Sequence, residues 1–460
     1  MANYGAQTSR YNRLVVIFVA LGSLTYGYCC AVISSTLGHP GWYSYFNLPV
    51  ADSPGYSTIT TPVIATANGV FSAGGAIGSL FMMWSCDAFG RKANIQLGSF
   101  LAILGGALQG GAVSLNMFQA GRFVSGTAIG VLVTVCPMYL AEMSSPFVRG
   151  KFDEAYEVLK RIRHSSDDPY DVVAKEEFVQ TKEQLKLEAA KLAETGHGVW
   201  TAVFKRKSYR KRMIIGFLTQ WGAEFGGPLV INNYAVILYT NLGMTGHMPL
   251  LLIALWLTTA GLIYNPLGAW LHDKVNSRRW MFMTGFIGIV VTTSCLAAMS
   301  AEYGHTKNRV GNGLGIFFIF LYLAFQGTFC DTTMYLYVSE IFPTEIRPIG
   351  MGFSLFGQFS STLILLQTAP MGFVNVGWKY YLVIICWSAV FVPVIYFFFP
   401  ETARLTLEEI AKNFGEEIAV AGTDATDEEK RAIDCKLRNA DLVGSNTTNS
   451  RTDVDATGSI

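Results

Sequence analysis

Residues 139–149 read Tyr-Leu-Ala-Glu-Met-Ser-Ser-Pro-Phe-Val-Arg, and residues 337–347 read Tyr-Val-Ser-Glu-Ile-Phe-Pro-Thr-Glu-Ile-Arg. In both, a Tyr lies three residues before a Glu (Glu142, Glu340), an Arg lies seven after it (Arg149, Arg347), and a Pro falls between (Pro146, Pro343). Each copy is preceded by two long apolar runs. Ahead of those runs sits a loop that is acidic and then basic: Asp87 before Arg91 and Lys92, and Asp273 before Arg278 and Arg279. One cassette therefore occurs twice in the same order, the mark of an internal duplication.

The surroundings of the cassette fix its medium. Of 460 residues, 51% are hydrophobic and 15% charged, where a soluble domain carries about a quarter charged. The charges gather in short hydrophilic stretches and leave apolar runs of about 18 residues or more, long enough to cross a bilayer as helices. Ten spans are predicted, at about 14–37, 62–84, 94–114, 119–141, 213–238, 248–271, 280–299, 313–338, 349–373 and 380–399. The first run shows no cleavage site and reads as a signal anchor.

Lys and Arg in short loops orient the chain. Arg10, Arg13, Arg91, Lys92, the cluster Lys205–Arg212, Lys274, Arg278, Arg279 and Arg347 fall on one side if spans alternate, and few fall on the other. Both termini are predicted cytoplasmic. Residues 1–13 are expected to form a cytoplasmic N-terminus, 14–150 a first half of four spans, 151–212 a cytoplasmic helical linker, 213–399 a second half of six spans, and 400–460 a cytoplasmic, largely disordered tail.

Composition excludes other classes. A net charge of +1 offers no footprint for a nucleic acid. The eight cysteines lie mostly inside apolar runs, without a Cys-x-x-Cys or Cys/His cluster, and read as small core hydrophobes. No metal, cofactor or nucleophile–base set is indicated, so an enzyme is not expected. Duplicated membrane halves instead point to secondary transport.

The motifs resemble the sugar porter family of the major facilitator superfamily, particularly its fungal hexose and lactose-permease-like members. The pattern after the third span appears as Gly121, Arg122, Gly126, Gly130, Pro137, Tyr139, Glu142, Pro146, Arg149 and Gly150. Its counterpart is Glu340, Pro343, Arg347 and Gly350, and the closing signature is Pro400-Glu401-Thr402 with Leu407-Glu408-Glu409. The resemblance implies an all-α major facilitator fold that moves a hexose or small glycoside by alternating access, with protons as a possible co-substrate and a place in the plasma membrane. It also implies that the family's helices five and six are absent. After Arg149-Gly150 the chain passes directly to Lys151, where the second half continues into two further spans after Arg347.

By the same resemblance, Asp87, Arg91, Lys92, Glu142 and Arg149, and Asp273, Arg278, Arg279, Glu340 and Arg347, form two charge clusters that latch the halves together; ordinary interfacial charge is the plainer reading. Polar groups inside spans are costly, and each is a candidate for function. Span 5 offers Gln220, Glu224, Asn232, Asn233 and Tyr234, and span 8 offers Asp331 and Tyr335, all candidates for substrate contact. Ala223 and Glu224 stand where the family has two sugar-binding glutamines, and Leu229 where it has an asparagine. In proton-coupled members an Asp in span 1 pairs with the arginine matching Arg122; here that position is Cys29, which stays protonated at neutral pH. These departures keep two other readings open: a non-transporting sugar sensor, and an inactive shortened form.

Overall fold

The computed structural model describes residues 10–50, 53–143, 199–244, 246–304, 306, 308–343, 346–403, 405, 410 and 412–415. Helices lie on all ten predicted stretches. The first half contains α1 (Arg10–Leu37), a short α2 (Pro40–Tyr45), α3 (Thr61–Phe89), α4 (Arg91–Gly110) and α5 (Leu115–Met143). After α6 (Val199–Lys205), the fifth stretch is broken into α7 (Lys207–Phe225), α8 (Pro228–Asn233) and α9 (Ala235–Asn241). The sixth comprises α10 (Met248–Thr259), a π-turn at Ala260–Tyr264 and α11 (Asn265–Lys274). Then come α12 (Arg278–Tyr303), α13 (Arg309–Phe325), a second π-turn at Gln326–Asp331, α14 (Thr332–Ile341), α15 (Arg347–Val376) and α16 (Tyr381–Phe398).

Local chemistry sets the ends. Ser277 caps α12 by accepting from Trp280 N at 3.2 Å, and Asn308 caps α13 through Val310 N and Gly311 N. The break after α7 falls at Gly227, whose φ of +90° suits a residue without a Cβ, and Pro228 restarts the helix at its first position.

Among the described residues seven stretches are long and apolar enough, by length and composition, to cross a membrane: Ile17–Leu37, Tyr56–Phe89, Leu115–Leu140, Met248–Lys274, Arg278–Tyr303, Arg309–Ile341 and Arg347–Phe398. The last is α15 and α16 joined by the turn Gly377–Tyr380. α4, which opens on Arg91 and Lys92, and the broken α7–α9 are not among them. Of the linker expected at 151–212, residues 151–198 lie outside the described residues, as do residues 416–460 of the tail.

In lipid, helices associate through close contact rather than hydrophobic drive. α3 and α5 meet backbone to backbone: a Cβ added at Gly126 would strike the Phe71 carbonyl, and one at Gly74 would strike that of Phe123. α3 also lies along α15, where Gly75 accepts the Phe359 ring and Gly352 accepts Met83. Two buried clusters tie the halves together along this seam. One joins Phe71, Met82 and Leu132 to Leu355 and Phe359, and the other joins Ile33 and Ile64 to Val230, Tyr234 and Leu366. Coverage is uneven elsewhere. Of the most apolar part of Met248–Lys274 only 11% is buried, against 67% for Leu115–Leu140. By backbone contacts Met1–Arg404 form one unit and Leu405–Ile460 a second.

Candidate functional site

Glu224 sits one turn before the break at Gly227, on the face of α7 that also carries Gln220. Both are buried. Gln358 of α15 donates from Nε2 to Glu224 Oε1 at 2.8 Å. The same amide lies 2.9 Å from the Tyr335 hydroxyl of α14 and 3.2 Å from the Tyr26 hydroxyl of α1, and Tyr335 donates back to Gln358 Oε1 at 3.3 Å. Four helices thus converge on one amide. A hydrogen bond contributes about 0.5–1.5 kcal/mol net, enough for the amide to fix the orientation of Glu224. Yet Glu224 Oε2 and Gln220 Oε1 are buried without a partner. A buried acceptor left unmade costs about 1–3 kcal/mol, which a ligand hydroxyl would recover.

The other span residues named from sequence divide. Asn232 and Asn233 are buried with each Oδ1 unpartnered, and the Asn232 carbonyl accepts from Ser34 of α1 at 2.6 Å. Tyr234 points elsewhere: its hydroxyl donates to Leu366 O at 2.7 Å and accepts from Asn68 at 3.2 Å. Asp331 ends the second π-turn, and its Oδ1 accepts from Gln326 Nε2 at 2.8 Å.

Arg122 is 1% exposed. Its guanidinium reaches Cys29 O at 3.2 Å, Ala67 O and Asn68 Oδ1 at 3.4 Å, and lies 4.1 Å from the Phe71 ring centroid. Carbonyls, an amide and a π-face hold this cation, and no ion pair with it occurs among the described residues.

At the loop before α12, Arg278 pairs with Glu340 at 3.2 Å and donates to His272 O at 3.1 Å. Glu340 also accepts from the Thr402 hydroxyl at 2.7 Å. Glu401 accepts from Ser277, from Arg278 N at 2.7 Å and from Ala403 N at 3.1 Å. Burial pushes the Glu401 carboxyl up, but these hydrogen bonds outweigh it and hold the group below its ordinary value of 4.5. Arg279 instead covers the Tyr396 ring at 4.8 Å, Arg347 is buried against Phe342 O at 3.3 Å, and Asp273 is exposed. In the first half, Asp87 and Arg91 pair at 3.8 Å and Lys92 is exposed, while the side chains of Glu142 and Arg149 lie outside the described residues.

Sequence reasoning did not single out Gln358 or Tyr26. An amide in the apolar run 349–373, which also carries Gln367, was the available signal for Gln358. It also left Glu401 as part of a signature, without its role at the start of α12.

The profile of the sugar (and other) transporter family matches residues 15–159 and 147–414. The chain belongs to this family. It is a polytopic membrane transporter of the major facilitator fold, not an enzyme. A high-affinity glucose transporter of Kluyveromyces lactis is 24% identical over 485 residues, covering 87% of this chain and 84% of that protein. An arabinose-proton symporter of Escherichia coli is 24% identical over 477 residues, covering 88% and 94%. The solved proton:xylose symporter bound to 6-bromo-6-deoxy-D-glucose shares the fold with a TM-score of 0.70 at 18% identity, covering 88% of this chain and 99% of that one. The two family matches overlap at 147–159, across the Gly150–Lys151 junction.

Proposed function

We propose that this transporter carries a neutral sugar, a hexose or small glycoside, across the plasma membrane by alternating access. The observation that carries the reading is the group of buried Glu224 and Gln358 with half-buried Tyr26 and Tyr335, drawn from both halves, in which Glu224 Oε2 has no donor. Sugar hydroxyls supply such donors, and Tyr335 and Tyr26 add apolar ring faces suited to a pyranose. Gln220, Asn232 and Asn233 extend the surface along α7 and α8. An anionic sugar acid fits less well, because no ion pair neutralises Glu224 among the described residues. The Arg278–Glu340–Thr402 cluster serves as one latch whose release lets the halves rock, with Asp87 and Arg91 on the opposite half.

Uptake of labelled hexoses by cells lacking their own hexose carriers tests this. Surface-expressed wild-type chain takes up at least one sugar, and Glu224→Ala lowers uptake about tenfold or more, as loss of the buried hydrogen bonds of this carboxyl group predicts. No uptake across a broad panel, despite surface expression, would end the reading.

A second reading, an inactive shortened form, draws on three observations. Met248–Lys274 is largely uncovered, the family match falls in two segments, and a cavity of about 620 Å³ opens between α1, α2, α4 and α5, lined by Val32, Trp42, Gln109 and Phe118. Transport only after two further spans are inserted between Gly150 and Lys151 would favour it.

A further inference from the structure

His272 lies in the last turn of α11, beside the charged loop, yet it is only 6% exposed. α11 runs close against span 8 there. A Cβ added at Gly268, one turn earlier on the same face, would strike the Thr328 carbonyl of the second π-turn. The two ring nitrogens of His272 meet different elements. Nδ1 lies 3.0 Å from Arg278 Nη1, and Nε2 lies 2.9 Å from the Thr333 hydroxyl of α14. The partners fix the role of each. A guanidinium only donates, so Nδ1 accepts. Thr333 gives its one hydroxyl proton to the Phe329 carbonyl, inside the π-turn, so its oxygen accepts from Nε2–H. His272 is thus a neutral imidazole with its proton on Nε2.

The first half shows what this ring adds. There the residue before the loop acid is Cys86, and Arg91 donates to its carbonyl at 3.3 Å. The second half repeats that bond, from Arg278 to His272 O at 3.1 Å, and adds the imidazole. Arg278 Nε is buried without a hydrogen-bond partner among the described residues. Three acceptors hold its other nitrogens: the ring, the His272 carbonyl and Glu340, the last at 3.2 Å. Without the ring the guanidinium keeps its charge pair but loses what aims it.

Building on the transport reading above, we propose that His272 is a positioning residue of the latch: its neutral imidazole aims Arg278 at Glu340 and fastens the pair to the π-turn that ends on Asp331. It acts through Arg278 rather than on the sugar. A π-turn holds one residue more than an α-turn, and one residue is about 100° of helix rotation. Relaxation of the turn swings Thr333 away from Nε2 and frees the ring behind Arg278. A rearrangement of span 8 at the sugar site reaches the latch through this one imidazole.

The test is a double-mutant cycle on the full chain, and its first arm needs no substrate. His272→Ala, Glu340→Ala and the double variant are purified in detergent and their unfolding temperatures compared. With the ring acting through Arg278 on Glu340, the double variant should lose no more than the larger single loss. Losses that simply add overturn the proposal, as does an unchanged His272→Ala. Should His272→Ala fail to fold, His272→Asn and His272→Gln decide. Asn puts an acceptor oxygen at the place of Nδ1, and Gln puts a donor nitrogen at the place of Nε2. Asn should recover most of the stability and Gln should fall to the level of Glu340→Ala; any other order overturns the proposal. The second arm is uptake of labelled hexose. His272→Ala should raise KM for entry from the face opposite the latch about threefold or more, because a loosened latch lowers the fraction of carriers open to that face. Adding Glu340→Ala should raise it no further, and His272→Asn should restore it. A wild-type KM in His272→Ala overturns the proposal and leaves the sugar reading standing. No uptake of any hexose by the wild type removes the sugar reading, and the unfolding cycle still upholds or overturns the role of His272.

Discussion

In the first half, α3 and α5 meet at Gly74, Gly78, Gly126 and Gly130, each facing the other helix's backbone. In the second half, the helices meet through rings: Phe225 of α7 and Trp387 of α16 lie 4.8 Å apart, and Phe391 of α16 and Phe286 of α12 5.0 Å. The charged loops differ in the same direction. The Asp87–Arg91 pair is 3.8 Å long, with side chains 34% and 28% exposed, whereas Arg278 and Glu340 are 3.2 Å apart and 14% and 23% exposed. One duplicated cassette has thus produced a half that depends on backbone proximity and a half that depends on side-chain networks. A repeat in sequence preserves topology, while the means of holding the helices drifts with the residues at the contacts.

The sharpest way to break this contrast is to fill the glycine contact. Gly126→Leu should abolish the folded, monodisperse protein in detergent, because the added side chain meets the Phe71 carbonyl and overpacking costs about 1–3 kcal/mol or more. Gly313→Leu on α13, where a Cβ meets nothing within 4 Å, should leave the elution profile unchanged. Equal behaviour of the two would erase the distinction.

Smaller effects should separate the charged pairs. Glu340→Ala leaves Arg278 and Thr402 without their shared acceptor and should lower thermal stability by about 1–2 kcal/mol. Asp87→Ala, at the more exposed pair, should cost under about 0.5 kcal/mol. Thermal unfolding of the two variants side by side checks this, and the reverse order would refute it.

The smallest effect is a pH dependence. The folded value of Glu401 lies below its ordinary 4.5, so its stabilising contribution is complete above that pH and is lost as pH falls through the lowered folded value. The gap in unfolding temperature between wild type and Glu401→Gln should be widest near neutrality and should close in acid below 4.5. A gap that widened in acid would mean the carboxyl is held in its neutral form.

Much of this was legible in the sequence. The repeated Tyr-x-x-Glu-x6-Arg pattern marked the duplication, the apolar runs placed the helices to within a few residues, and Glu224 stood out because a carboxylate in an apolar run is costly. The partner of Glu224 was not legible. Gln358 lies 134 positions away, and only the crossing of α7 and α15 brings the two together. The same holds for Glu401, whose carboxylate closes the start of α12 from 123 positions along the chain. The break at Gly227 was hidden because span 5 reads as one polar-spotted run, and hydropathy does not report a change of φ. Residues 144–150, which carry Arg149 of the first cassette, lie outside the described residues.

α3 and α15, which form the seam between the halves, are 29 and 30 residues long, so each extends about 44–45 Å. That exceeds the roughly 30 Å of a bilayer's hydrocarbon layer. α16, with 18 residues, extends only about 27 Å. A thicker membrane therefore reaches the two kinds of helix differently. The seam can absorb it by tilting less, while α16 has no length to spare, so hydrophobic mismatch acts first at the outer wall of the second half.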